Sequence, residues 1–278
     1  MWRFILSNLM KGAVIPKMSW NIKPIKIILI LIFGVILTAC GNGGTTDPAQ
    51  NTADLSSQEQ AELVATALSA QQGGVEDDIA RVSQAATGTL PQHAQMRDAS
   101  FGFTVSVNID FYDAQDNLQQ AYDPQTTDRI DYQSLIQGQI TNDTGFFREL
   151  SIDNQSDFTV RDILSGLVWV NGTHTNHSSY RRFQPITQAD VHFQLDSELI
   201  LTDVTVDLQA SDTFPESGTI EGTLSGSCER VAPNWQQTTQ FNFHFVATYL
   251  GDNTAEVELD DGTIFTVHLD NGTVQNLQ

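Results

Sequence analysis

The sequence predicts a mainly β protein, an antiparallel meander of about ten strands forming a curled sheet or half-barrel and preceded by one or two short helices. Three observations carry this. From Phe101 the apolar period is two: Phe101, Phe103, Val105, Val107, Ile109 and Phe111 alternate with Gly102, Thr104, Ser106, Asn108, Asp110 and Tyr112. Such alternation separates a buried face from a solvated one along a strand. Turn dipeptides recur after apolar runs, at Asn171-Gly172, Asp261-Gly262 and Asn271-Gly272. They suit two-residue hairpin turns, whose central residues take positive φ. Helical spacing is confined to residues 55–90, ahead of the strands, so hairpins and not βαβ crossovers connect them.

Each element follows in order. Ser56 and Glu59 form a capping box that opens a helix with Leu63, Val64, Ala67 and Leu68 on one face. Gly73-Gly74 stops it, and a second helix follows with Val75, Ile79, Val82 and Ala86 at helical spacing. These stripes are thin and Ala-rich, so the helices need the β domain or a partner to pack on. After the strand from Phe101, further strands are expected near 130–140, 145–153, 157–163, 166–174, 189–196, 199–209, 217–230, 236–250, 254–260 and 263–270. So many strands do not stay flat; they curl, or split into a two-layer sandwich as the alternative. Asp260-Asp261-Gly262-Thr263 is echoed by Asp270-Asn271-Gly272-Thr273, which reads as two successive turns. The β domain is placed at 100–278 and the helical segment at 55–90.

The first forty residues have a different character. Lys23 and Lys26 precede an apolar run from Ile27 to Leu37, and small residues then lead to Cys40. That order is a secretory signal, and its core is shorter than the roughly 18 residues of a membrane span. Leu37-Thr38-Ala39-Cys40 resembles the lipobox of bacterial lipoprotein precursors, position by position. The resemblance covers only the signal and Cys40. It implies cleavage between Ala39 and Cys40 and a diacylglyceryl (palmitate-type) anchor on the Cys40 thiol. Met18 would start a compact signal, which leaves residues 1–17 as an upstream extension. Gly41, where an Asp would favour retention at the inner membrane, leans towards the outer membrane of a two-membrane bacterium. Residues 40–54, polar and Gly-rich, read as a lipidated flexible tether.

Charge divides at the same place. Of 13 Lys and Arg, five (Arg3, Lys11, Lys17, Lys23, Lys26) precede Cys40, which leaves eight Arg, no Lys and all 34 acids behind it, a formal charge of −26. Such a chain repels nucleic acid, and it disfavours flat docking on anionic lipid. A salty environment would screen the self-repulsion. With Cys40 assigned to lipid, Cys228 is expected to have no intramolecular partner and to pack as a small apolar residue.

Candidate chemistry is sparse. His174 and His177 form an HxxH pair, but on a strand this spacing sends the two rings to opposite faces. Asp110, Asp113 and Asp116, with Asn117, crowd one turn and could hold calcium; Asp123, Asp128 and Asp131 crowd the next. Asp and Asn also occupy turns because they satisfy turn backbone. Trp169, Trp235, Tyr112 and Tyr180 could stack on a sugar, or simply pack across strands. Phe241, Phe243 and Phe245 share a core face, which could line an acyl pocket if the curled sheet were incompletely filled. No Gly-x-Ser-x-Gly, HExxH or phosphate loop is present, and no catalytic residue is nominated. The expectation is a membrane-anchored envelope lipoprotein acting as a non-enzymatic binding or scaffolding module, with a protein partner or an apolar ligand. A carrier or sensor of an apolar ligand is the alternative. An enzyme would need His and carboxylates converging in a cleft.

Overall fold

The computed structural model describes residues 55–70, 74–98, 103–141, 147–184, 188–210 and 214–276. The signal segment, Ala39, Cys40 and the 41–54 stretch lie outside the described residues. Among the described residues two α-helices, α1 (Ser57–Leu68) and α2 (Val75–Ala86), precede twelve strands. These are β1 (His93–Asp98), β2 (Phe103–Asp113), β3 (Leu118–Gln119), β4 (Thr127–Thr141), β5 (Phe147–Arg161), β6 (Leu167–Gln184), β7 (Ala189–Asp207), β8 (Ser217–Ala232), β9 (Trp235–Tyr249), β10 (Thr254–Leu259), β11 (Ile264–His268) and β12 (Val274–Asn276). Every pairing is antiparallel between neighbours, from β1 to β12, with the two-residue β3 a side branch on β2. The eleven-strand meander does not close into a barrel. It is a single sheet, so the curled form holds and the two-layer alternative does not.

Alternation works along the whole meander. In β7, Val191, Phe193, Leu195, Leu199 and Leu201 are buried while Gln194, Asp196, Glu198 and Ile200 are exposed. The buried parity of each strand lines the inner face, and both helices sit on it. The capping box at Ser56 and Glu59 is present, and Leu63, Val64 and Leu68 of α1 are fully buried. The C-terminal end of α1 is bound to the last strands through Ala70 N–H donating to Leu269 O at 2.9 Å. Helix α2 lies against β4 and β5, burying Val75, Ile79 and Val82. Helices of twelve residues each are marginal alone, so this burial is what keeps them folded. Among the described residues no helix is long and apolar enough to cross a membrane.

Several boundaries differ from the sequence reading, each for a local reason. Strand β1 begins at His93, ahead of the expected boundary at 100, and its sequence HAQMRD carries almost no apolar signal. Segments 145–153 and 157–163 are one strand, β5, because the polar run Asp153-Asn154-Gln155-Ser156-Asp157 is strand and not loop. Likewise 189–196 and 199–209 merge into β7. Asn171-Gly172 is not a hairpin turn: β6 runs straight through it. The pairing to β7 slips there, and Asp203 takes φ 51 in a bulge whose N–H donates to Asn171 Oδ1 at 2.9 Å. At Asp261-Gly262 and Asn271-Gly272 the chain does turn, but only the glycines have positive φ, so these are not two-residue primed turns. Both are built alike, with Thr263 N–H donating to Asp261 and Thr273 N–H to Asn271.

Gly172 has φ 148, and a Cβ there would stand 2.1 Å from Asp157 O on the neighbouring strand. Gly172→Ala should therefore destabilise the fold by about 1–3 kcal/mol. Thermal unfolding would read this as a melting point lower by about 2–4 °C per kcal/mol.

Candidate functional site

The first turn of α2 carries Glu76, Asp77 and Asp78, an ordinary arrangement at the positive end of a helix. Two of these acids are nevertheless turned into the protein: Glu76 is 2% and Asp78 4% exposed. Asp78 falls three residues after Val75 and four before Val82, on the apolar stripe that packs on the sheet. Its carboxylate meets inward-facing residues of three adjacent strands. Ser134 of β4 donates to Oδ1 at 3.3 Å, Ser156 of β5 donates to Oδ2 at 2.6 Å, and His174 Nδ1 of β6 lies 3.2 Å from Oδ2. Arg81, one turn along α2, stands 4.0 Å from Oδ1 and holds Asp77 at 2.7 Å. Burial works to raise the Asp78 carboxyl, but the His174 hydrogen bond, the charges of Arg81 and His174, and the Ser156 hydroxyl outweigh it and hold it below the usual carboxylate range.

The protons of this cluster can be placed by elimination. An ionised Asp78 only accepts, and the single Ser156 proton goes to it. His174 Nδ1, 2.9 Å from Ser156 Oγ, must then carry the ring's N–H. Its Nε2 has no protein partner among the described residues. His174 borders a cleft of about 40 Å³, room for roughly three waters, between α1 and the inner face of β5–β7. Asn154 and Asn176, directly opposite each other on β5 and β6, also line it. The side-chain oxygen of each is buried without a hydrogen-bond partner.

Glu76 takes the opposite solution. Among the described residues its one hydrogen-bonding neighbour is the Tyr249 hydroxyl of β9, which donates to Oε1, and burial drives the carboxyl up to about 8. Two carboxyls two positions apart thus differ in charge at neutral pH because one is surrounded by donors and the other is not.

His174 and His177 face opposite sides of β6, as their spacing on a strand requires. His174 is buried, while His177 is exposed and pairs with Asp196 at 2.7 Å. The Asp110–Asp116 turn is closed by its own groups. Asp113 accepts from Gln115 N, Asn117 N and Asn117 Nδ2, which holds it below the usual range, the Asn117 side chain contributing most. Arg129 bridges Asp116 at 2.9 Å and Asp131 at 3.1 Å and lies over the Tyr112 ring, while Asp110 stands opposite Asp131. Among the described residues no three His, Cys, Asp or Glu form a metal-holding group. The aromatics do not share a platform: Trp169 is exposed, while Tyr180, on the other face of β6, is buried and stacks on Phe193 at 5.3 Å. Phe241, Phe243 and Phe245 are all buried on the inner face. Cys228 is buried on β8 and disulfide-bonded, which corrects the expectation that it has no intramolecular partner.

Sequence reasoning named His174 but missed Glu76, Asp78, Ser156, Asn154 and Asn176. The readable signals were an acid on the apolar stripe of α2 and polar residues at inward parity in the middle of β5 and β6.

Two tests follow. Asp78→Ala removes the buried acceptor of His174 and of the Ser134 and Ser156 hydroxyls, while Arg81 keeps Asp77, and should cost about 3–5 kcal/mol in denaturant unfolding. For Glu76, the folded state holds a proton that the unfolded chain releases near pH 4.5. The stability this lends is full below that value and is lost as pH rises towards about 8, by up to about 1.4 kcal/mol per pH unit. Glu76→Gln should therefore gain on the parent steadily from pH 5 to pH 8 in melting experiments, and a constant difference would refute this.

Comparison of the chain with family models, with curated proteins and with solved structures finds no match.

Proposed function

We propose that this chain is an exported envelope lipoprotein, anchored through lipid on Cys40 and working as a non-enzymatic binding module whose ligand enters the cleft between α1 and β5–β7. The lipobox-like Leu37-Thr38-Ala39-Cys40 supports the anchor. For the domain, the hydrogen bonding of His174 carries the reading. His174 and Asp78 do converge beside a cleft, which an enzyme would require. The adjacent hydroxyl, however, is on the wrong nitrogen: Ser156 meets Nδ1, the same side as the carboxylate, and gives its proton to Asp78. A Ser-His-Asp relay needs the nucleophile on Nε2 and the acid on Nδ1. The cluster therefore ties α2 to the sheet beside the cleft. The carrier alternative has less support, because α1 and α2 occupy the inner face that an apolar ligand would need.

One observation favours a second reading of the anchor. The sequence has two cysteines, so an intramolecular disulfide at Cys228 and a lipid thioether at Cys40 compete for one sulfur. In the second reading the exported chain is closed by that disulfide and carries no lipid.

Expression of the full chain in a bacterial host separates them. The lipoprotein reading expects the protein in the membrane fraction, an N-terminal Cys40 peptide carrying acyl mass, and release to the soluble fraction by Cys40→Ser. A soluble parent protein whose Cys228 alkylates only after reduction would establish the disulfide form instead.

A further inference from the structure

Strand register sets the polar groups on the sheet wall of the cleft. Asn154, Asn176 and Ser197 stand opposite one another on β5, β6 and β7, one row at the spacing of adjacent strands, about 5 Å. His174 and Ser178 lie two positions either side of Asn176 on β6, and therefore on the same face. All five line the cleft and form a cross of polar side chains centred on Asn176. The oxygens of Asn154 and Asn176 are buried, so their amide nitrogens are the atoms open to the cleft. Among the described residues neither nitrogen has a protein partner, and nor has His174 Nε2. Polar groups inside a protein normally have partners, so this cross defines what should fill the cleft. The neighbouring row, Ile152, Ser178 and Leu195, is apolar at both ends.

The surroundings select a neutral ligand. Among the described residues no Asp, Glu, Lys or Arg lines the cleft. A cation would meet amide N–H groups, which offer it no acceptor. An anion would enter against the −26 formal charge beyond Ala39 with no Arg to hold it. A hydroxyl suits every member of the cross. It accepts from the amides, exchanges either role with serine, and pairs with His174 Nε2 whether that nitrogen carries a proton or a lone pair. From this we infer that the cleft binds a neutral sugar by one edge of its ring. Two adjacent hydroxyls accept from the Asn154 and Asn176 amides and reach Ser178, Ser197 and His174 Nε2, with the ring carbons against Ile152 and Leu195. The volume of about 40 Å³, room for roughly three waters, holds two hydroxyls and the carbons that bear them, and the rest of the ring lies in the opening. The inference deepens the binding-module reading and rests on the cleft being its ligand site.

The test is titration of the full chain, purified from a bacterial host, followed by NMR of the Asn154 and Asn176 side-chain amides and the His174 ring. The probes are vicinal cyclohexanediol, cyclohexanol, ethanediol, cyclohexylamine and cyclohexanecarboxylate. The cyclohexanediol should shift all three groups, and each of the other probes should bind about tenfold more weakly or less. Asn154→Leu, close in size but without the amide, should weaken the cyclohexanediol about tenfold. Asn176→Leu, at a half-buried position, makes the same test should the first variant fail to fold. Equal binding of cyclohexanol would show that the ring alone is recognised, and equal binding of ethanediol that any polyol is; either overturns the inference. So does a charged probe that binds as tightly as the cyclohexanediol, no shift at high-millimolar cyclohexanediol, or Leu variants whose binding is unchanged. Native mass spectrometry of the same preparation separates the two failures. A retained ligand that the cyclohexanediol does not displace sinks the sugar and leaves the binding module standing, whereas an empty, unresponsive cleft sinks both.

Discussion

An antiparallel sheet of eleven strands that does not close has an inner face with nothing opposite it, and the fold depends on covering that face. Helix α2 does so as a plug fastened by two buried acids. Asp78 reaches β4, β5 and β6; Glu76, two residues earlier, reaches β9. Strands far apart in the meander are thus joined through one turn of helix, and the curl of the sheet is held by contacts that no strand pairing supplies. Burying a carboxylate is costly unless donors surround it. Asp78 has Arg81, His174 and two serines and remains charged, while Glu76 has a phenol and retains its proton instead. The same helix turn therefore bears one strong polar tie and one pH-sensitive one.

The fold was largely legible because parity is a strong signal. Alternation from Phe103 to Phe111 appears in the structure residue for residue, and so do the capping box and both helical stripes. Failures arose where polar residues face inward. The run Asp153–Asp157 looks like a loop because Asn154 and Ser156 occupy positions where apolar residues were expected; in the fold they face the cleft and Asp78. Asn171-Gly172 misled for a related reason. The dipeptide that closes a hairpin also suits a strand beside a bulge, where Asn supplies a side-chain acceptor and Gly permits close approach of the neighbouring backbone. What decides between them is the partner strand, which local sequence does not contain. The site was illegible for the same cause: Asp78 and His174 are 96 positions apart in the numbering and meet only once the sheet is curled.

The outer face shows how a lysine-free surface handles its acids. Along β4 and β5 glutamine amides face carboxylates across the strands, Gln137 to Asp153 at 3.0 Å and Gln139 to Glu149 at 2.6 Å. These bonds satisfy the oxygens but leave the charge uncompensated, so the body keeps a negative field that salt screens but hydrogen bonding does not. Such a body is repelled by anionic lipid, so the anchor and polar tether proposed above would hold it at a bilayer without laying it flat.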